Sequence, residues 1–122
     1  MENIYIDATS DSPAVKFENS GNLIIEGRSL PKNVLAFYDP LIEWVKGLNV
    51  ETVIMNINLE YINTSSSKKL FDVLKILDAN NKIRKLIFNW YYEDEDILEK
   101  GQVYEDFLLK ASFRYYELTE SV

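Results

Sequence analysis

Hydrophobic and polar positions alternate first around residue 15. Val15 and Phe17 alternate with Lys16 and Glu18, Asn19-Ser20-Gly21-Asn22 is a turn cluster, and Leu23-Ile24-Ile25-Glu26 resumes an extended pattern that ends at Gly27. Two extended runs around a glycine-containing turn predict a hairpin. Pro31 then opens a segment at a position suited to a first helical turn. Val34, Phe37, Tyr38, Leu41, Ile42, Val45 and Leu48 follow a helical period, with Gly47 and Asn49 as stop signals. Pro40 lies within that pattern and predicts a kink or a division near Asp39, because proline lacks an N–H and crowds the preceding turn.

Residues 52–59 form a β-branched-rich run expected to be a central, well-buried strand. From Ser65 to Ala79 the positions Leu70, Phe71, Val73, Leu74, Ile76 and Leu77 make a broad helical stripe that Asn80-Asn81 ends. Lys85 to Tyr92 reads as another strand, with Leu86, Phe88, Trp90 and Tyr92 on one face and Ile87 and Tyr91 on the other. A last helix, about Asp94 to Lys110, puts Ile97, Gly101, Tyr104 and Leu108 on one side, with Leu98 and Phe107 widening the stripe. Phe113 to Leu118 reads as a short closing strand or an extended tail. The order predicts a single α/β domain over residues 1–122, with a mixed four- to five-stranded sheet packed by amphipathic helices.

Composition narrows the chemistry. The 122 residues include eight Tyr, six Phe and two Trp, enough large apolar surface to expect a folded core rather than disorder. The formal net charge of −7 opposes nucleic-acid binding and attraction to anionic membranes, since Lys68-Lys69 and the trio Lys82, Arg84 and Lys85 are the only basic concentrations. The absence of Cys and His removes disulfides, thiolate nucleophiles, imidazole bases and the usual zinc ligands. Met1 to Ser10 has no continuous apolar run and reads as neither signal peptide nor membrane span, so a cytoplasmic location is expected.

One segment stands out against this background. Tyr61-Ile62-Asn63-Thr64-Ser65-Ser66-Ser67-Lys68-Lys69 joins the central strand to the start of an amphipathic helix. One cap needs one side-chain oxygen, and here Asn63 and four consecutive hydroxyls are on offer. The first turn carries no carboxylate and no capping box, and Lys68 and Lys69 put positive charge near the positive end of the helix dipole. By contrast Glu93-Asp94-Glu95-Asp96 compensates the start of the last helix. An uncompensated helix start suits an anion, and a phosphorylated hydroxyl would supply one. On the residues alone, an over-provided cap, a phosphorylation site and a small-anion site all remain open.

The same segment resembles the signature of the SiaC family of bacterial regulatory phosphoproteins, whose fold is similar to STAS domains and anti-sigma-factor antagonists. The likeness extends along the chain. Thr9-Ser-Asp-Ser-Pro-Ala-Val-Lys-Phe17 resembles the family's opening T-x-x-T-P-x-I-x-F, with Ser12 where Thr is usual. Gly27-Arg-Ser-Leu-Pro-Lys-Asn33 resembles its G-x-S-x-P-E-N, with Lys32 in place of Glu. Phe37-Tyr-Asp-Pro40, Trp44, and Trp90-Tyr-Tyr92 followed by acidic residues complete the ordered set.

The resemblance implies a partner-switching cycle. A serine/threonine kinase of GHKL type phosphorylates the threonine, a PP2C-type phosphatase reverses it, and the unphosphorylated form engages a target, a diguanylate cyclase in the best-known systems. Carried over, the phosphoacceptor is Thr64, surrounded by Asn63, Ser65, Ser66 and Lys68. Ser65 and Ser66 remain alternative acceptors. The departures at Ser12 and Lys32 leave this segment intact and bear on which partner docks.

Other constellations are weaker. The acidic run with Glu99 offers oxygen ligands for Mg²⁺ or Ca²⁺ but not the EF-hand spacing, and charges at a helix start explain it without a metal. The four glycines, at 21, 27, 47 and 101, form no phosphate loop. Trp44, Tyr61, Tyr91 and Tyr92 are candidate partner-binding aromatics, and Trp44 is expected to be partly exposed because it points away from the side of Phe37, Tyr38, Leu41 and Val45. The expectation is therefore a regulator without cofactor, metal or catalytic residues of its own. The alternatives are a small metal-dependent enzyme using residues 93–99 and an interaction domain in which Thr64 is never modified.

Overall fold

A computed structural model describes residues 1–119. Six strands and three helices follow in the order β1 (Ile4–Ile6), β2 (Ala14–Phe17), β3 (Asn22–Ser29), α1 (Val34–Lys46), β4 (Thr52–Ile62), α2 (Thr64–Ala79), β5 (Lys85–Tyr92), α3 (Glu95–Phe107) and β6 (Ser112–Glu117). The strands lie in one sheet in sequence order, antiparallel from β1 to β3 and parallel from β3 to β6. The fold class is the predicted mixed α/β. The sheet has more strands than the four to five expected, because Ile4-Tyr5-Ile6 pairs with β2 and residues 112–117 pair with β5. Three residues of alternation are too few to register as a strand in a single sequence.

Three crossovers in a row advance the same way across the sheet, and their common right-handedness places all three helices on one face. Burial along β4 agrees: Val53, Met55, Ile57 and Leu59 are buried, whereas Ile54 and Glu60 are exposed. The core fills the space between this face and the helices, with Phe17, Tyr38, Leu41, Phe88, Trp90 and Leu74 fully enclosed. Gly21 makes the tight β2–β3 turn at φ +101°, and a Cβ there would lie 2.2 Å from the Thr52 carbonyl oxygen. That close approach lets the Gly21 carbonyl accept the Ile54 amide at 3.0 Å and fixes the hairpin against β4.

Helix α1 departs from two expectations. Pro31 precedes the helix, whose start is set by Asn33, the side chain accepting the Ala36 amide at 3.1 Å. Pro40 sits inside a continuous helix rather than dividing it. Asp39, Pro40 and Ala36 are all exposed, so the carbonyl that the proline leaves without an amide faces water.

Trp44 is a third correction. It is only 8% exposed, its indole Nε1 donates to the Glu2 carbonyl at 2.7 Å, and its ring lies 5.5 Å from that of Phe17. The amino-terminal segment before β1 crosses this side of α1 and covers it.

Asp78 in the last turn of α2 accepts the amides of Leu109, Lys110 and Ala111 at 2.8–3.0 Å. This clamp sets α3 beside α2. Among the described residues no helix is long and apolar enough to cross a membrane.

Candidate functional site

β4 ends at Ile62, and the chain turns into α2 through Asn63. The Asn63 amide donates to the Ser29 carbonyl of β3 at 3.0 Å, anchoring the turn to the sheet. Its backbone is extended (φ −81°, ψ 172°), its side-chain oxygen accepts the Ser66 amide at 2.9 Å, and its carbonyl accepts the Ser67 amide at 2.9 Å. Asn63 is thus the cap, which releases the four hydroxyls from capping duty. The amides of Thr64 and Ser65 find no acceptor among the described residues, and both side chains are exposed.

The next two hydroxyls differ. Ser66 is fully buried, and among the described residues neither Ser66 Oγ nor Ser67 Oγ has a hydrogen-bond partner. Beneath them the Tyr38 hydroxyl shares a 2.6 Å hydrogen bond with Ser29 Oγ. Burial pushes the Tyr38 phenol above its ordinary value, against the opposing pull of the Ser29 hydroxyl and of Ser66, which lies close by without hydrogen-bond geometry. Tyr104 of α3 donates its hydroxyl to the Ser67 carbonyl at 2.7 Å, and burial raises its pKa from 10.0 to about 12, against a smaller opposing pull from the nearby Ser67 side chain.

Two surfaces meet beside this helix start. Between α2 and α3 runs a trough of about 250 Å³ where Thr64, Lys68 and Phe71 face Lys100, Val103, Tyr104 and Phe107. Beyond Ser67 a wider groove of about 560 Å³ is lined by Glu60, Tyr61, Asp94, Asp96 and Glu99, with Lys100 at the border it shares with the trough. Lys69 points elsewhere, reaching Asp39 of α1 at 3.4 Å. Phe107, expected to widen the core stripe, is instead 69% exposed, and Val103 one turn earlier is 53% exposed. That pair, together with Lys100, was missed in the sequence. The four-residue spacing of Val103 and Phe107 was the available signal, although Phe107 also fits the period of the Ile97, Gly101 and Tyr104 stripe.

The acidic run serves α3. Asp94 is its cap, accepting the Ile97 amide at 3.0 Å, and Glu95 and Asp96 occupy the first turn. Among the described residues no three His, Cys, Asp or Glu side chains converge to hold a metal ion. The four candidate aromatics are not brought together. Trp44 is enclosed under the amino terminus; Tyr61 is 44% exposed at the acidic groove beneath the Arg28 guanidinium. Tyr91 stacks on Tyr116 with ring centres 5.1 Å apart on the helix-free face, and Tyr92 packs half-buried against the core.

The comparisons with known proteins agree with this architecture. The sequence profile of a family described as SiaC family regulatory phosphoprotein matches residues 6–118. An uncharacterized protein of Pseudomonas aeruginosa (strain UCBPP-PA14) is 26% identical over 113 residues, covering 87% of this chain and 90% of that protein. The crystal structure of apo-SiaC from Pseudomonas aeruginosa superposes with a TM-score of 0.81 at 25% identity, covering 98% of this chain and 100% of that one. A structure of the diguanylate cyclase SiaD in complex with its activator SiaC, from the same organism, has the same fold at TM-score 0.80 and 24% identity, over 93% of this chain and 99% of that one.

Proposed function

The chain belongs to the SiaC family of regulatory phosphoproteins, and from that membership we propose that it is a partner-binding regulator switched by phosphorylation of Thr64. The unphosphorylated protein engages a target, and phosphorylation releases it. The target is a diguanylate cyclase, by analogy with the SiaC that activates SiaD. A kinase of GHKL type transfers the γ-phosphoryl group of ATP to Thr64 Oγ1, releasing ADP and the hydroxyl proton; a PP2C-type phosphatase restores the threonine by hydrolysis, releasing inorganic phosphate. The chain contributes binding and no catalysis, and the cycle runs in the cytoplasm.

The observation that carries this reading is an exposed threonine hydroxyl at a helix start with two free amides and no carboxylate in its first turn. A phosphate there brings a charge of about −1.5 to −2 beside unpaired N–H groups, the positive end of the helix dipole and Lys68. The fold therefore accommodates the dianion, whereas a partner packed over it must strip its water without offering comparable donors. Ser66 is too enclosed to serve as acceptor, and Ser65 is the remaining competitor.

Purified Thr64→Ala and Thr64→Glu proteins test the reading against a diguanylate cyclase from the same organism. Thr64→Ala is expected to bind and to raise cyclic di-GMP synthesis, with Thr64→Glu weaker by about tenfold or more, as for a charge placed in a desolvated contact. Equal binding by both proteins sinks the switch.

A further inference from the structure

Helix α3 carries two apolar stripes with different fates. Ile97, Gly101 and Tyr104 enter the core, while Val103 and Phe107 stay in the open at 53% and 69% exposure. Large exposed apolar groups in a cluster mark contact surfaces. The two open side chains face Phe71 of α2 across the trough that Thr64 also lines. Its walls are braced in advance: the Phe71 ring lies 5.3 Å from Tyr104 in a stacked pair and 6.1 Å from Phe107 edge to face. Asp78 clamps the far end.

Size and charge select the occupant. At about 250 Å³ the trough is smaller than the roughly 300–1,000 Å³ of small-molecule sites, and it suits one or two side chains of another protein. Two helices lying side by side with an apolar seam are the usual receptor for an amphipathic helix. Lys68 and Lys100 stand on the rim, and among the described residues neither is in an ion pair. In a chain of net charge −7, this is a local reversal of sign.

We infer that the α2–α3 trough docks an acidic amphipathic segment of the regulated partner, with an apolar side chain between Phe71, Val103 and Phe107 and flanking carboxylates on Lys68 and Lys100. The inference rests on the reading of Thr64 as the switch and supplies the cause of release. A phosphate on Thr64 pairs with the same lysines and repels the partner's carboxylates. A basic partner seated in the neighbouring groove of Glu60, Asp94, Asp96 and Glu99 would respond with the opposite sign, binding more tightly after phosphorylation.

Two synthetic amphipathic helices test the assignment, one of leucine and phenylalanine flanked by glutamate, the other with lysine replacing every glutamate. Titrated into unphosphorylated protein and followed through backbone amide resonances, the glutamate peptide is expected to shift residues lining the trough. Phe107→Ser and Lys100→Glu should each weaken it by about tenfold, the loss of one anchor, with unfolding midpoints little changed because Phe107 is 69% exposed and the half-buried Lys100 is in no ion pair among the described residues.

The docking assignment is overturned if the glutamate peptide leaves those resonances unmoved, or if the lysine peptide binds the trough equally well. It is also overturned if sedimentation of the protein alone shows a dimer that Phe107→Ser abolishes, which makes a second copy the occupant. Loss of the peptide in both trough variants but not in Thr64→Glu supports the groove and removes the switch. A difference between Thr64→Ala and Thr64→Glu in cyclase binding, with Phe107→Ser and Lys100→Glu binding the cyclase as wild type, keeps the switch and removes the groove.

Discussion

At the start of α2, Asn63 in an extended conformation accepts the Ser66 amide at 2.9 Å; at the start of α3, Asp94, also extended, accepts the Ile97 amide at 3.0 Å. The two caps are the same device, and the turns behind them carry opposite chemistry. Glu95 and Asp96 fill the first turn of α3 with permanent negative charge, while the first turn of α2 offers two exposed hydroxyls and no carboxylate. Lack of acid is not what sets α2 apart, since α1 also begins without it, capped by Asn33 and followed by Val34-Leu35-Ala36. The difference is the accessible hydroxyl next to free amides and unpaired lysine. Capping geometry, then, is satisfied without charge, and the charge at a helix start remains free to be fixed in one helix and conditional in another.

Tyr104, in the last turn of α3, ties that helix to the Ser67 carbonyl near the start of α2, and cutting this tie is the strongest way to break the comparison. Its pKa is raised from 10.0 to about 12, so the folded state holds the phenolic proton more tightly than the unfolded chain does. The associated stability is complete below pH 10 and is lost as pH climbs through about 12, a loss of roughly 2–3 kcal/mol by linkage. Denaturant unfolding at successive alkaline pH values should show that decline. In Tyr104→Phe it should be shallower, with Tyr38 still contributing, and stability at neutral pH should fall by about 1 kcal/mol for the missing hydrogen bond. An unchanged alkaline slope in the variant disproves the tie.

Much of the α2 start was legible because its signals are local. Four hydroxyls, an asparagine and two lysines lie in consecutive positions, and capping rules read consecutive positions. What failed was non-local. Trp44 became an interior residue through a carbonyl 42 positions earlier, which helical periodicity cannot anticipate. Phe107 matched the apolar period of α3, yet period does not distinguish a stripe facing the sheet from one facing the groove beside α2. Pro40 obeyed its rule only in part, because a lost hydrogen bond on the solvent side of a helix is replaced by water. The Ser29–Tyr38 pair under the site joins a strand to a helix nine residues later, and nothing in either segment marks it.

Exchanging the caps sharpens the electrostatic half of the comparison at a smaller magnitude. Asn63→Asp puts a fixed carboxylate at the vacant start, and Asp94→Asn removes one from the filled start, each with its hydrogen bond to the backbone kept. The first is expected to stabilise and the second to destabilise by about 0.3–1 kcal/mol at low salt, both effects shrinking as salt screens them. Urea midpoints at low and high ionic strength measure the pair. If Asn63→Asp lowers stability at low salt, the α2 start is not the electropositive site that the free amides of Thr64 and Ser65 describe.

The smallest effect separates two adjacent serines. Ser66 is fully buried with its hydroxyl unpaired, while Ser65 beside it is exposed. An unsatisfied buried hydroxyl has lost its water without a replacement, so Ser66→Ala removes a polar atom that the interior does not use. The variant is expected to unfold within about 0.5 kcal/mol of the wild type, on the stabilising side if it moves at all, because the cap on its amide comes from Asn63 and survives. The same variant should take up phosphate from the kinase to the wild-type extent, whereas Thr64→Ala should not. A clear destabilisation would mean that Ser66 does hydrogen-bond the Tyr38 phenol in solution, and lost phosphate uptake would mean that the first turn of α2 opens far enough to present its buried face.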